Sequence, residues 1–478
     1  MNESLTPLLT GRRRLHLMGV GGAGMSALAE WLLDRGHDVS GCDSRRSPVT
    51  RRLEELGVRV EEGHDRAHVE GVDALVVSSA IPPDDSERRA AEARGIPVVR
   101  RAELLGAIMD QARGIAVAGT HGKSTTTVMT GAVLEAAGVD PTVLVGGRIR
   151  GGEGNVRLGR GPWLVAEADE YDRSFLALSP EHAIVTNVEA DHLDVYGTLE
   201  AVDEAFAAFV GGIAPGGSLI RSADDPGARR LVAPQGVEVV TFGTAKEAGA
   251  RAVDVEPARG GVAFGLLLDG ADAGRVRLAM PGLHNVRNAL AAAAVGWRVG
   301  ADAAAIRAGL EAVLGVERRF EIVHEDDEAM FVDDYAHHPS EIAATLAAAR
   351  GGWPERRLVA VFQPHLFTRT RDFAGEFGIA LSAADLVFVA DVYPAREQPI
   401  EGVTGRLVSD AARKAGAPVV YLPDETGGGR EALDVVEAAL RAGDLVVTLG
   451  AGDVGEIARG LAARRADAGG RGRVGAGA

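Results

Sequence analysis

Residues 114 to 127 read Gly114-Ile-Ala-Val-Ala-Gly-Thr-His-Gly-Lys-Ser-Thr-Thr-Thr127, and this stretch decides the fold around it. The apolar run from Ile115 to Ala118 predicts a buried strand, a glycine-rich turn follows, and a helix is predicted from Ser124. A strand, a glycine turn and a helix N-terminus together form a phosphate-binding loop, because backbone N–H groups and the helix dipole converge on an anion.

Each residue of this loop has an expected task. Glycines let the backbone approach a phosphate closely, Lys123 adds a full positive charge, and Ser124 offers a hydroxyl oxygen to magnesium. The spacing departs from the strict Walker pattern, since Val117 stands where that pattern has its first glycine. The residues predicted to surround ATP here are Gly119, Thr120, His121, Gly122, Lys123, Ser124 and Thr125.

Lysine is rare in this chain. Of 51 lysines and arginines, only Lys123, Lys246 and Lys414 are lysine. A compact ammonium suits a tight glycine turn better than the planar guanidinium of arginine does. The alternative, a surface lysine in an ordinary turn, is disfavoured by the strand, the glycines and the Ser/Thr run around Lys123.

Composition limits the class of protein. At 478 residues the chain is too long for one hydrophobic core, and about three domains are expected. A formal charge of −17 disfavours nucleic acid or an anionic membrane as a partner. The single cysteine, Cys42, excludes an intramolecular disulfide and any multi-cysteine metal site. Without a long uncharged apolar stretch, no membrane insertion is expected and a cytoplasmic location is predicted. Oligomeric state, monomer or homodimer, is left open.

The first hundred residues predict a small parallel α/β domain, residues 1–106, of Rossmann-like type. A strand over 15–20 leads into a G-x-G-x-x-G turn and a helix over 25–35, and Asp43 ends the next strand. Taken alone, this fingerprint predicts an NAD-dependent dehydrogenase. The signal is weak, because the same geometry serves any nucleotide diphosphate.

Two acidic clusters follow predicted strands in the middle segment. Glu167-Ala-Asp-Glu170 follows a strand over 163–166, and Asp191-His192 follows a strand over 183–186. Oxygen ligands at parallel strand ends beside a phosphate loop indicate magnesium. Either cluster alone is better explained as a solvated loop, and a lone histidine is usually structural; together with the loop they favour metal binding.

The remainder predicts an α/β fold with three domains in all. The central domain, residues 107–320, is expected to be a P-loop ATPase-like mixed sheet, in which Asn285 and Asn288 share a helix face and can address one base edge. Residues 321–465 predict a second Rossmann-like domain from four strands that end in polar, cationic clusters. The tail 466–478 is expected to be disordered.

Taken together, these motifs resemble the Mur ligase family over residues about 12–460. Several motifs in family order are far more specific than any one. The resemblance is carried by Gly19-Val-Gly-Gly-Ala-Gly-Met-Ser26, Gly119-Thr-His-Gly-Lys-Ser124, Glu167-Ala-Asp-Glu170, Glu189-Ala-Asp-His192, His284-Asn285-x-x-Asn288, Arg318-Arg319-Phe320, Asp334-Tyr-Ala-His-His-Pro339, Phe362-Gln-Pro-His365 and Gly450-Ala-Gly-Asp453.

The resemblance implies an ATP-dependent ligase with UDP-N-acetylmuramate, ATP and, in its alanine-adding branch, L-alanine as substrates, and two magnesium ions. The first domain would hold the UDP-sugar, the second ATP, and the third would close over ATP and the amino acid. The residues it places at the UDP-sugar are Gly19, Gly21, Gly22, Gly24, Met25, Ser26, Asp43 and Ser79.

For ATP and magnesium the resemblance assigns further roles. Lys123 and Ser124 would handle phosphates and the first magnesium. The other assignments are Glu167 to magnesium, His192 to a second magnesium, Asn285 and Asn288 to adenine, Arg319 to a phosphate, Asp334 to the ATP ribose and His365 to the substrate. Arg369, four residues after His365, is our candidate for the alanine carboxylate; the alternative is that it pairs with Asp372.

The sequence departs from the family pattern at two points, and three alternative functions remain open. Ser124 replaces the commoner threonine but keeps the hydroxyl, and residues 193–212 contain no lysine, which excludes the carbamylated lysine of later-acting relatives and agrees with the alanine-adding branch. The alternatives are a dehydrogenase, a non-catalytic nucleotide switch, and the relative that recycles tripeptides onto the UDP-sugar. Met25-Ser26 and Asp333-Asp334-Tyr335 resemble the alanine-adding branch more closely.

Overall fold

Short apolar runs separated by polar turns form the strands of three sheets in the computed structural model, which describes residues 5–152, 154–422 and 429–474. The first sheet has five strands in the order β3-β2-β1-β4-β5, all paired in parallel. Its elements are α1 (Thr6–Leu9), β1 (Arg14–Met18), α2 (Ala23–Asp34), β2 (Asp38–Asp43), α3 (Pro48–Leu56), β3 (Arg59–Glu62), β4 (Ala74–Val77), α4 (Ser86–Ala93), β5 (Val98–Arg100) and α5 (Arg101–Met109).

The second sheet begins at β6 (Arg113–Ala118), the strand predicted before the phosphate loop. Its further strands are β7 (Thr142–Leu144), β8 (Val156–Arg157), β9 (Trp163–Glu167), β10 (His182–Val185), β11 (Ser218–Ser222), β12 (Glu238–Gly243), β13 (Ala250–Ala258), β14 (Gly261–Leu268) and β15 (Ala271–Leu278). Its helices are α6 (Lys123–Ala136), a 3-10 helix (Tyr171–Ala177), α7 (Leu193–Tyr196), α8 (Leu199–Gly211), α9 (Pro226–Arg230), α10 (Leu283–Arg298) and α11 (Ala303–Ala312).

The order of this sheet positions the site. It runs β15-β14-β13-β12-β11-β10-β6-β9-β7-β8, so β6 lies between β10 and β9 and pairs with both in parallel. The carboxyl ends of three neighbouring parallel strands therefore lie at one edge, where ligands bind in open α/β sheets. The edge strand β8 pairs antiparallel with β7, which makes the sheet mixed, as predicted.

The third sheet has the order β16-β17-β21-β18-β19-β20, with β16 antiparallel at one edge and the other pairs parallel. The four predicted strands are present, and β16 and β20 are additional. Its elements are β16 (Glu321–Glu325), β17 (Ala329–Asp334), α12 (Pro339–Gly352), β18 (Leu358–Phe362), α13 (Phe367–Leu381), β19 (Leu386–Val389), α14 (Gly405–Lys414), β20 (Val419–Tyr421), α15 (Arg430–Ala439), β21 (Asp444–Leu449) and α16 (Gly455–Val474).

The chain divides into two compact units. The first runs to Asp254 and adds Phe264–Val276 and Arg287–Leu314; the second comprises Val255–Ala263, Arg277–Val286 and the chain from Gly315 on. The first sheet and most of the second fall in one unit. They share a core, because one buried cluster runs from β1 and α2 through α5 to α8 and β11. The predicted boundary near residue 106 falls in α5, between the first and the second sheet, and the domain bounds stay a prediction.

The C-terminal segment 466–478 begins within helix α16, and its disorder stays a prediction. Helix α16 continues through Ala466 to Val474. Alanine and arginine are among the strongest helix formers, which favours continuation of the helix despite the intervening glycines. Residues 475–478 lie outside the described residues. None of the described helices is long and apolar enough to cross a bilayer.

Candidate functional site

The loop between β6 and α6 requires glycine at two positions. Gly119 has φ +134°, and a Cβ there would lie 1.9 Å from Thr186 Oγ1. Gly122 caps α6 with φ +83°, and a Cβ there would lie 2.5 Å from Asn288 Oδ1. Both conformations are strained for other residues, and neither site has room for a side chain. The loop is thus pressed between the end of β10 and helix α10.

The Lys123 ammonium is held by its own loop and by one carboxylate. Its Nζ donates to the carbonyl oxygens of Gly119 at 2.7 Å and Thr120 at 3.1 Å, and lies 2.9 and 2.8 Å from the two oxygens of Glu170. Burial alone would lower the pKa of Lys123, but nearby carboxylates, Glu170 foremost, raise it. Lys123 is therefore protonated, and Glu170 is its closest carboxyl group.

Three acidic side chains, at the last residue of β9 and just after it, concentrate negative charge beside Lys123. Burial is the main cause that raises the pKa of Glu170 to about 7, with the Asp169 charge adding to it and Lys123 opposing it. Burial also raises the pKa of Glu167. Carboxylates that lie close together repel one another when ionised, and a cation between them stabilises the ionised forms. This acidic group therefore fits a divalent metal as well as the lysine.

The predicted ligands of the first magnesium are brought together. Ser124 hydrogen-bonds to the carboxylate of Glu167, whose Oε1 also accepts from the Gly146 N–H at 2.6 Å. A hydroxyl and a carboxylate are the oxygen ligands that magnesium prefers. The donor set at these two side chains therefore fits the ion.

His192 lies near Glu170 and Asp191. It has φ +52°, immediately before α7, and its Nε2 is 3.9 Å from both Glu170 Oε1 and Asp191 Oδ2. Its ring meets the edge of Tyr171 with centroids 5.2 Å apart. His192 and Ser124 thus approach different carboxylates, Glu170 and Glu167. A second metal ligand at His192 stays a prediction.

Hydrogen bonds from the end of β10 fix the rest of the loop. Thr120 Oγ1 accepts from the Glu189 N–H at 2.9 Å, and Asn187 Oδ1 accepts from the His121 N–H at 2.8 Å. Thr186 Oγ1 donates to the His121 carbonyl oxygen at 2.6 Å. Thr125 is buried in the first turn of α6. These contacts hold the loop in place.

Sequence reasoning did not assign Glu170, Asp169 and Asn187 to the site individually. Glu170 and Asp169 stand in the acidic cluster, which was the available signal. Asn187 gave no comparable signal, because its contact with the loop depends on β10 lying next to β6 in the sheet.

In the first domain the glycine turn after β1 is close-packed. Gly21 donates its N–H to Asp43 Oδ2 at 2.9 Å, so Asp43 fixes the turn; a contact to the UDP-sugar stays a prediction. A Cβ at Gly19, where φ is +75°, would lie 3.3 Å from Ser78 Cβ, and one at Gly24 would lie 2.9 Å from Arg101 Nη1. Gly22 caps α2, in which Met25 and Ser26 are buried, and Ser79 is exposed beyond β4.

One cavity of about 260 Å³ joins this turn to the acidic cluster. Gly22, Gly24 and Met25 line one part of it, and Glu167 and Asp169 line another. Ser79 and Arg101 also line it. Arg101 makes no hydrogen bond or ion pair with any other described residue, so its charge is available to an anionic ligand.

Asn285 and Asn288 lie in the first turns of α10, and both are buried. The Asn285 Nδ2 donates to the Pro281 carbonyl oxygen at 2.8 Å, and Asn288 is the residue that a side chain at Gly122 would strike. Asn288 therefore contacts the phosphate loop itself. An adenine contact by either residue stays a prediction.

The predicted site residues of the second unit take part in two groups. Arg319 Nη1 lies 3.2 Å from Glu341 Oε1. Asp334 is buried, accepts from the N–H groups of Phe320 and Ala336 at 2.8 Å each, and has its pKa raised to about 6, mainly by burial. Asp334 thus fixes the backbone here, and its contact with the ATP ribose stays a prediction.

His365 and Arg369 form the other group, around α13. The His365 ring stacks on Tyr393 with centroids 5.7 Å apart. Arg369 is 6% exposed. Asp372, its expected alternative partner, is engaged by Arg371 at 2.7 and 3.0 Å. Binding of the alanine carboxylate by Arg369 stays a prediction.

Comparison with known proteins identifies the class. Three family models match in succession: Mur ligase family, catalytic domain, at residues 14–113; Mur ligase middle domain at 164–296; and Mur ligase, glutamate ligase domain, at 318–452. The chain belongs to the Mur ligase family.

Within the family, the chain is similar to enzymes with a named activity. The UDP-N-acetylmuramate–L-alanine ligase of Salinibacter ruber is 45% identical over 95% of each chain, and that of Kineococcus radiotolerans is 49% identical over 92% of this chain and 94% of its own. Among solved structures, the UDP-N-acetylmuramate-alanine ligase of Thermotoga maritima matches with a TM-score of 0.79 at 29% identity, covering 95% of this chain and all of that one. A murein peptide ligase from Psychrobacter arcticus matches with a TM-score of 0.68 at 25% identity, covering 94% and 98%.

Proposed function

We propose that this chain is an ATP-dependent ligase that joins L-alanine to the lactyl carboxylate of UDP-N-acetylmuramate, giving ADP and phosphate, in peptidoglycan precursor synthesis. The relatives that share 45% and 49% of its sequence carry this activity in their names. The dehydrogenase alternative is not favoured, because it gives no role to the Lys123 loop or its acidic partners. With UDP-sugar and ATP as substrates, we propose a cytoplasmic location.

The cavity is the observation that carries this proposal. It extends from the glycine turn after β1 to Glu167 and Asp169 beside the phosphate loop. A ligand whose diphosphate lies at the glycine turn and Arg101 would extend its other end toward the loop of Lys123. UDP-N-acetylmuramate has this form, with a diphosphate at one end and a free carboxylate on the sugar.

The chemistry follows from the weakness of a carboxylate as an acyl donor. A lactyl carboxylate oxygen attacks the γ-phosphorus of ATP, ADP leaves, and an acyl phosphate forms. The neutral amine of alanine then attacks the acyl carbon, phosphate leaves, and the amine loses a proton. Lys123 would move from Glu170 to the transferring phosphoryl group and neutralise its charge.

Magnesium is expected to supply further charge neutralisation when bound. Ser124 and Glu167 would hold one ion, and His192 with Glu170 would hold a second. Changing His192 to Ala would affect the second ion alone, because ATP binding through the loop depends on other residues.

An assay of the purified protein tests the activity. UDP-N-acetylmuramate, ATP and magnesium are supplied with L-alanine, glycine, L-serine or the L-Ala-γ-D-Glu-diaminopimelate tripeptide, and phosphate release is measured. We expect turnover with L-alanine. Turnover with the tripeptide alone would make the chain a murein peptide ligase, and ATP hydrolysis independent of any amino acid would make it a nucleotide switch.

Labelling of the substrate carboxylate with oxygen-18 tests the mechanism separately. An acyl phosphate intermediate transfers one labelled oxygen to the released phosphate. Product formation with unlabelled phosphate would exclude this route while leaving the overall reaction intact.

A further inference from the structure

A cluster of potential metal ligands lies in the first domain, and it contains none of the residues proposed to contact ATP or the UDP-sugar. It combines His16 on β1, Cys42 on β2, His68 in the segment after β3, and Glu87 in the first turn of α4. A further ring, His64, adjoins it, with Nδ1 3.2 Å from Cys42 Sγ. Four segments distant in sequence thus converge on one point.

The carboxylate of Glu87 is the centre of this cluster. Its Oε1 lies 2.8 Å from His16 Nε2, its Oε2 lies 3.3 Å from His68 Nδ1, and the two oxygens lie 3.6 and 3.4 Å from Cys42 Sγ. One ligand atom from each residue lies within 4.8 Å of all the others. Tetrahedral zinc, with bonds of about 2.0–2.3 Å, needs ligand atoms about 3.3–3.6 Å apart. The Glu87 distances to His68 and Cys42 already lie in that range. The His16–Glu87 distance would lengthen by about 0.5 Å to admit the ion.

The orientation of His16 provides an independent observation. Its Nδ1 lies 2.8 Å from Ser40 Oγ, which fixes the ring. Its Nε2 is buried and points at Glu87 Oε1, 2.8 Å away. A histidine anchored through one nitrogen with the other directed into a cluster is the usual arrangement of a metal ligand and its outer hydrogen-bond partner.

We propose that His16 Nε2, Cys42 Sγ, His68 Nδ1 and a Glu87 oxygen bind one zinc ion. Two imidazoles, one thiolate and one carboxylate suit a borderline-soft ion, whereas magnesium and calcium prefer oxygen ligands alone. The cluster is closed, because Cys42 and Glu87 have no exposed surface. The ion is therefore structural, and it fastens β1, β2 and α4 to one another.

Zinc binding at this site releases the thiol proton. Zinc takes the sulfur as thiolate, so binding competes with the proton. Affinity for zinc should therefore increase with pH. Because Cys42 is buried, its alkylation is followed in mild denaturant, where bound zinc should slow it.

Cobalt substitution tests the proposal on the full-length protein. Metal is removed with a chelator under reducing conditions, and Co²⁺ is added in the presence of excess magnesium, which occupies oxygen-ligand sites. A sulfur-to-cobalt charge-transfer band can arise only from Cys42, because the chain has one cysteine. We expect the band at one equivalent of cobalt and its loss on adding one equivalent of zinc. No band at saturating cobalt would overturn the proposal.

Substitutions distinguish the metal ligands from residues that only lie nearby. His68→Gln should weaken zinc binding by at least about 10²-fold, and Ser40→Ala by about 10- to 100-fold, as for an outer-shell partner. His324→Gln, on β16, is the matched control and should bind zinc as the wild type does. If His68→Gln fails to fold, zinc-dependent protection of Cys42 in the wild type decides instead. Unchanged affinity in His68→Gln, or alkylation unaffected by zinc, would leave the cluster a hydrogen-bonded network.

Discussion

At the scale of single residues, Lys123 has the most direct consequence. Lys123→Ala should lower kcat by at least about 10³-fold, because a preorganised charge is lost at the transferring phosphoryl group. Lys123→Arg should restore little, since the guanidinium fork does not fit a turn pressed against Thr186 and Asn288. Steady-state kinetics with L-alanine measure both. Lys246→Ala, at an exposed lysine, is the control, and near wild-type turnover in Lys123→Arg would contradict this role.

Glu170 should make stability depend on pH. Burial raises its pKa from 4.5 to about 7, so the folded state holds this proton more tightly than the unfolded state does. The contribution is present below about pH 4.5 and is lost as pH rises to about 7. The melting temperature of the wild type should therefore fall relative to that of Glu170→Gln across this pH window. Above it, the two plots of melting temperature against pH should run parallel. Parallel profiles throughout would show that the Glu170 carboxyl titrates normally.

Arg101 should bind the diphosphate of the UDP-sugar. It lines the cavity and has no partner among the described residues. Arg101→Ala should raise the KM for UDP-N-acetylmuramate by about 10- to 100-fold, the scale of a lost charge-assisted contact, with the KM for ATP unchanged. Arg100→Ala is a matched control, since the neighbouring Arg100 is 67% exposed and paired with Glu103. Equal effects from both variants would argue against a specific contact.

At the scale of elements, the turn before α6 and the turn after it differ in one respect. Gly119 and Gly138 both have positive φ, but only a side chain at Gly119 would strike a neighbour. Gly138→Ala should lower the free energy of unfolding by about 1–2 kcal/mol through backbone strain alone, and ATP binding should be unchanged. Gly119→Ala should cost more and should weaken ATP binding as well. Thermal unfolding and nucleotide titration measure both effects, and equal losses would mean that the close contact with Thr186 relaxes freely.

Most elements could be predicted from sequence, and the exceptions share a cause. The strand before the loop and helix α6 follow from an apolar run and a glycine turn. The short strands β7, β8 and β20 exist because a neighbouring strand supplies their hydrogen bonds, which no local pattern reports. The 3-10 helix contains Asp172 and Arg173 at positive φ, and neither residue type predicts that conformation.

The candidate site also divides into residues that a local sequence pattern identifies and residues that only distant contacts bring together. Residues contiguous with the loop could be identified from their order in the chain. The pairing of Lys123 with Glu170, the clamp by Asn187 and the placement of Arg101 in the cavity each join residues far apart in sequence. Such contacts depend on which strands are neighbours and could not be predicted from residue types alone.

At the scale of the whole molecule, three predicted sheets form two compact units. Periodicity indicates how many sheets a chain can form, but whether two sheets share a core depends on side chains that meet across α5 and α8. Two units with separate cores should unfold in separate steps.

Calorimetry tests this division. We expect two transitions, and UDP-N-acetylmuramate at about 100 times its Kd should raise the midpoint of one by about 5 °C, since the cavity lies wholly in the first unit. The other midpoint should move less. A single transition with equal calorimetric and van't Hoff enthalpies would show that the chain unfolds as one unit.

The clamped ammonium of Lys123 also bears on covalent inhibitor design. Lys246 and Lys414 are the only other lysines in the sequence, so an amine-directed reagent meets few competing lysine side chains. Lys123 is a poor nucleophile while its pKa is raised and Glu170 holds it. An effective warhead would therefore need an anionic group that draws Lys123 away from Glu170 and an electrophile that reacts as the proton leaves.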